Sequence, residues 1–99
     1  MPLDVTEYDE LAHAGNGSMV MAGQEPARAT QQLAIGASAT QSAPFDSATR
    51  FVRVHTDSPC RIKIGSNPTA DGTSMRMAAS QTEYLGVMGG LRISVIQTT

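Results

Sequence analysis

Phe51-Val52-Arg53-Val54-His55-Thr56, Asp57-Ser58-Pro59 and Cys60-Arg61-Ile62-Lys63-Ile64-Gly65 decide the fold of this chain. On either side of the turn, apolar and polar side chains trade places at every residue. An extended strand points successive side chains to opposite faces, so each segment has one face to bury and one to wet. Val52 and Val54 fall on one face, Arg53 and His55 on the other. Asp-Ser-Pro between them is turn chemistry, since Asp and Ser bond their own backbone and Pro presets φ. Leu91-Arg92-Ile93-Ser94-Val95-Ile96 repeats the pattern, with Leu91, Ile93 and Val95 pointing inward.

Working outward, Gln31–Ile35 ends at Gly36, and a weaker segment runs from Ser38 to Phe45. Ser74–Ala78 sets Met75 and Met77 on one face, and Thr82–Val87 puts Tyr84 opposite Leu85. Gly86-Val87-Met88-Gly89-Gly90 lies between two strands and opens no helix, so it reads as a hairpin turn rather than a phosphate cradle. About seven short strands at roughly 8–12 residue spacing, with no stretch long enough for a crossover helix, predict an all-β fold. The expected architecture is a small antiparallel β-sandwich or barrel with an extended N-terminal arm.

Residues 1–30 read differently from 31–99, which are taken as the sandwich domain. Asp4, Glu7, Asp9 and Glu10 make the start acidic, Ala14–Ser18 is turn-prone, and Met19-Val20-Met21-Ala22 is an apolar island. Thr6–Ala14 has an N-cap residue and acids for a turn or two of helix, too short to stand alone. The expectation is a polar arm that orders on a partner through Met19, Val20 and Met21. Removing residues 1–22 is then expected to leave the β-domain folded.

With 99 residues the chain is one small domain, close to the size at which burial only just offsets chain entropy. Cys60 is the single cysteine, which excludes an intrachain disulfide. A partner surface is the expected source of further stability. There is no Trp, so the core rests on Val, Ile, Leu and Met. Met19, Met21, Met75, Met77 and Met88 are read as gap-fillers. A net charge of −2 with dispersed charges argues against nucleic-acid or anionic-membrane binding, and no apolar run approaches the ~20 residues of a membrane span. The start of the chain lacks the basic and apolar segments of a secretory signal, and synthesis in the cytoplasm is expected.

Catalytic chemistry is not signalled. His13 and His55 lie in different regimes, and Cys60 with His55 is only a pair where zinc needs three or four ligands. Nothing in the sequence activates Cys60 as a nucleophile, and a small buried group is the better reading. Asp57, Asp71 and Glu83 are scattered singly. No metal, cofactor or enzymatic activity is expected. Arg53, His55, Arg61 and Lys63 are the candidate contact face of the domain.

Residues 49–97 carry a resemblance. Thr49–Thr56, the turn, the Cys60–Gly65 strand, Asn67-Pro68-Thr69-Ala70, Glu83-Tyr84-Leu85-Gly86-Val87 and Gly89-Gly90-Leu91-Arg92-Ile93-Ser94-Val95-Ile96 follow in an order that resembles small virion proteins of tailed bacteriophages. The resemblance covers about half the chain, and its motifs are turns and strands without catalytic residues. It implies a β-sandwich on an assembled particle, in first place a capsid decoration (cement) protein bridging subunits of the major capsid protein. It would be a dimer or trimer, made in the host cytoplasm and located in the virion. A head–tail connector or tail-fibre attachment component is the alternative. A carbohydrate- or receptor-binding module comes third, with Tyr8, Phe45, Phe51 and Tyr84 as its available aromatics.

Overall fold

The computed structural model describes the backbone of residues 2–13, 19–23 and 25–98, and the side-chain surroundings of residues 2–10, 23 and 25–98. Among these residues ten strands follow one another: β1 (Pro2–Tyr8), β2 (Leu11–His13), β3 (Met19–Gly23), β4 (Ala29–Ala34), β5 (Thr40–Gln41), β6 (Phe51–Thr56), β7 (Cys60–Gly65), β8 (Met75–Met77), β9 (Thr82–Gly86) and β10 (Arg92–Gln97). No helix occurs among the described residues. The first sheet has the order β4-β1-β6-β9 and the second β5-β10-β7-β8, all pairs antiparallel, while β2 and β3 form a separate two-stranded hairpin. The chain is an all-β sandwich.

The seven strands read from the sequence are β4 to β10. The three further strands come from the segment expected to be an arm. Residues 2–8 are neither arm nor helix. β1 lies inside the first sheet, with Leu3 opposite Leu33 of β4 on one side and Thr56 of β6 on the other. The reason is the alternation Leu3, Val5, Glu7: Leu3 and Val5 are buried at 0% and 1% exposure, while Asp4 takes the outer face. The structure therefore sets no domain boundary at residue 30.

The core forms between the sheets. Leu3, Val5, Leu33, Val52 and Val54 of the first meet Cys60, Ile62, Met77, Ile93 and Val95 of the second, with Phe45 and Val87 closing the ends. Met77 fills this core as expected, but Met75 and Met88 are exposed, at 44% and 70%, and fill no gap. Met75 pairs with Ile62 on β8, the outermost strand of its sheet among the described residues.

One turn differs from its reading, and another crosses between the sheets. Asp57-Ser58-Pro59 joins β6 of the first sheet to β7 of the second, and residues 87–91 likewise carry β9 across to β10. Neither is a hairpin; both are arches over the core. Thr56 holds the first arch, its hydroxyl donating to Ser58 O at 2.6 Å. The second arch packs on the 45–49 loop: Gly90 N donates to Phe45 O at 3.0 Å, and Gly90 takes φ +86°, a conformation that favours glycine. A Cβ at Gly89 would stand 2.5 Å from Ser47 O, so only glycine permits that approach.

Candidate partner-binding surfaces

Antiparallel pairing sorts the expected contact residues onto two faces. Arg53 lies opposite Thr6 and Tyr84, and His55 opposite Asp4 and Thr82, all on the outer face of the first sheet. Arg61 lies opposite Ile96 and Arg76, and Lys63 opposite Ser94, on the outer face of the second. The four residues expected to form one contact face thus point away from one another in pairs, with the core between them. The arch at residues 57–59 is the cause: it turns the wetted faces of β6 and β7 to opposite sides.

On the first sheet, Arg53 borders a shallow polar groove floored by Asp4 and Thr6 of the central strand and walled by Thr30 and Gln32. Gln32 Nε2 donates to Asp4 Oδ1 at 2.8 Å. His55 Nδ1 lies 2.7 Å from Thr82 Oγ1, and its Nε2 is 3.5 Å from Asp57. Cys60 points the opposite way, into the core at 0% exposure, and burial raises its thiol pKa. The two residues are therefore no nucleophile pair. No group of three or more His, Cys, Asp or Glu that would hold a metal occurs among the described residues.

At the end of the same face, Tyr8 stacks on Phe51 with ring centroids 5.3 Å apart, and Tyr84 follows at 6.3 Å from Phe51. Of the four aromatics, these three gather while Phe45 enters the core. Tyr8 and Phe51 are only 5% and 8% exposed, which removes them as a platform for a sugar ring. The base of the hairpin covers Tyr8: a Cβ at Gly23 would overlap its ring, and the Tyr8 hydroxyl donates to Glu25 Oε2 at 2.7 Å. Gly23→Ala is expected to lift the hairpin base from Tyr8. The check is a rise in Tyr8 fluorescence quenching by iodide while the melting of the sandwich changes little.

Burial, and secondarily the bond to Glu25, pushes the Tyr8 pKa from 10.0 up to about 12. The fold thus favours the neutral phenol. Its stabilisation is complete below pH 10.0 and is lost as pH rises from there towards 12. Tyr8→Phe keeps the stack on Phe51 and removes the ionisation. Denaturant titrations are expected to show an alkaline decline in the parent that is shallower in Tyr8→Phe.

Met19, Val20 and Met21, expected to anchor a partner, lie on β3; their side chains fall outside the described residues, as does that of His13. Their strand pairs with β2 and joins neither sheet among the described residues.

Four cations gather on the second sheet. Arg61 and Lys63 of β7, Arg76 of β8 and Arg92 of β10 all share its outer face. Arg61 donates to Ser74 O at 3.0 Å and Arg92 to Gln41 Oε1 at 3.1 Å. These cations come from separate strands, and only pairing of β10, β7 and β8 brings them side by side. No protein-family model, curated protein or solved structure matches the chain.

Proposed function

We propose that the chain is a non-enzymatic structural protein of a tailed-phage particle, a decoration protein that bridges neighbouring subunits of the capsid shell. The observation that carries this reading is the β2–β3 hairpin. A lone two-stranded hairpin is marginal in water and needs a surface to pack on. This one bears the apolar island Met19-Val20-Met21-Ala22 and, among the described residues, joins neither sheet. A hairpin rooted on Tyr8 is suited to docking on a neighbour while the sandwich stays folded. The strand-and-turn resemblance over residues 49–97 supports the same reading. Affinity would arise from many weak contacts repeated across the shell.

The test is the copy number of the chain relative to the major capsid protein, by quantitative mass spectrometry of purified particles. A ratio near one, or a simple fraction of it, is expected for a shell-wide protein. Its absence from particles overturns the role. A variant in which a short Gly-Ser turn replaces residues 12–22 locates the contact. It should fold as the parent does and fail to bind particles stripped of the protein; full binding would dismiss the hairpin as anchor.

A further inference from the structure

Charge is segregated along the topology. Four of the seven Lys and Arg residues lie on the outer face of the second sheet. Eight of the nine acids lie elsewhere by element: Asp4 and Glu7 on β1, Asp9 and Glu10 just after it, Glu83 on β9, and Glu25, Asp46 and Asp57 on connections. Asp71, on the loop after β7, is the exception, and Lys63 contributes to lowering its pKa, behind the Thr73 hydroxyl and backbone.

Among the described residues, neither Arg61, Lys63 nor Arg92 has a carboxylate within 4.0 Å; the ion pairs found are Arg28–Asp46 and His55–Asp57. Arg61 stands directly across from Arg76 in the β7–β8 register. Like charges in directly opposed positions of a sheet destabilise it. A chain that opposes two arginines and lines up a lysine and a third beside them concentrates positive potential on one flat sheet.

The complement is on the same molecule. Asp9, Glu10 and Glu25, all exposed, line a concave notch with Pro26, Ala27 and Arg28. The one cation of the notch, Arg28, is taken by Asp46 at 2.9 Å. Asp9 and Glu10 therefore set negative charge beside a concavity that admits a long basic side chain. Lys63 is such a side chain, exposed on the outer face of β7.

We propose that copies of the chain associate head to tail, the basic face of the second sheet of one copy seating on the Asp9–Glu10–Glu25 notch of the next. Such a contact joins two different surfaces, so it either closes into a ring or runs on as a filament. Complementary potential sets its register and speeds encounter. A nucleic acid fits the observations less well. The chain is net negative, and a long phosphate backbone crossing the basic face would meet the potential of the acids that surround the rest of the molecule. Self-association through these surfaces stands or falls independently of a place on a phage particle.

The experiment is sedimentation velocity of the full chain at about 0.01 M and about 1 M salt, where the Debye length is ~30 Å and ~3 Å. Association is expected at low salt and monomer at high salt. Two variants divide the contact: Arg61→Gln/Lys63→Gln weakens the basic half, and Asp9→Asn/Glu10→Gln weakens the acidic half. Each alone should weaken association at low salt by at least about tenfold. Mixed, they should give chiefly a 1:1 heterodimer, because each retains one intact half. Lys63→Gln alone, which touches no hydrogen bond of the fold, guards against a folding defect and should weaken association in the same direction. A parent that stays monomeric at low salt overturns the proposal, as does association indifferent to salt or to either variant. Retention of the monomer on heparin with loss in Lys63→Gln would reassign the face to polyanions.

Discussion

A chain lacking residues 1–8 is expected not to fold. Among the described residues, β1 is the only sheet neighbour of β4 and one of two neighbours of β6. Its loss would detach β4 and convert β6 into an edge. It would also remove Leu3 and Val5 from the core, where each buried side chain contributes about 1.5–3 kcal/mol. Added to the lost ladder and the lost Glu7, this is comparable to the ~5–15 kcal/mol by which domains are stable. Far-ultraviolet circular dichroism and size-exclusion chromatography check it: a native-like spectrum with cooperative melting in the truncated chain would contradict the central place of β1. Leu3→Ala gives the graded version, with an expected loss of about 2–5 kcal/mol in denaturant titration. The expectation that removing residues 1–22 spares the domain is thereby reversed.

Glu7 is the second site at which a large effect is expected. Its side chain is 1% exposed and points towards the core, on the same face of β1 as Leu3 and Val5. Every partner is a donor. Oε1 accepts from Asp46 N at 2.8 Å and Thr49 Oγ1 at 2.8 Å, and Oε2 accepts from Gln31 Nε2 at 3.1 Å. Gln31 in turn accepts from Ala43 N at 3.0 Å. One carboxylate thus ties β1 to β4 and to the 43–49 connection between the sheets. Glu7→Ala would leave these donors without acceptors in a buried site, at a cost of roughly 2–5 kcal/mol. Glu7→Gln is the sharper probe. It preserves one acceptor but sets an amide donor against Gln31 Nε2, and Gln31 is held in its orientation by Ala43 N. The expected loss is about 1–2 kcal/mol, a fall in Tm of roughly 5–15 °C. A Glu7→Gln variant as stable as its parent would show that the network is not what fixes the connection.

The same carboxylate is what hides β1 in the sequence. Pro2–Tyr8 carries the alternation that identified β6 and β7, with Leu3 and Val5 two residues apart. Glu7 occupies the third inward position, where the pattern asks for an apolar residue, and with Asp4, Asp9 and Glu10 it reads as an acidic tail. A buried acid is tolerable only if donors converge on it. Those donors come from residues 31, 46 and 49, at separations that no local pattern reveals. Cys60, Ile93 and Val95, by contrast, occupy the places their alternation assigned, because nothing distant was needed to bury them.

Alternation at period two, with no stretch long enough for a crossover helix, by itself determined that the chain is all-β and antiparallel, and at β6 and β10 which side chains face in. Those properties are local: a pleated strand fixes the sides of its neighbours whatever it pairs with. Only the tertiary structure decided that Asp57–Pro59 and Val87–Leu91 are arches rather than hairpins, since either connection buries the same residues. That decision parted Arg53 and His55 from Arg61 and Lys63, brought Arg61, Lys63, Arg76 and Arg92 together, and made Pro2–Tyr8 the strand on which the first sheet is built. Which strands become neighbours depends on how two apolar faces close on one another, a matter of the whole chain rather than of any stretch within it.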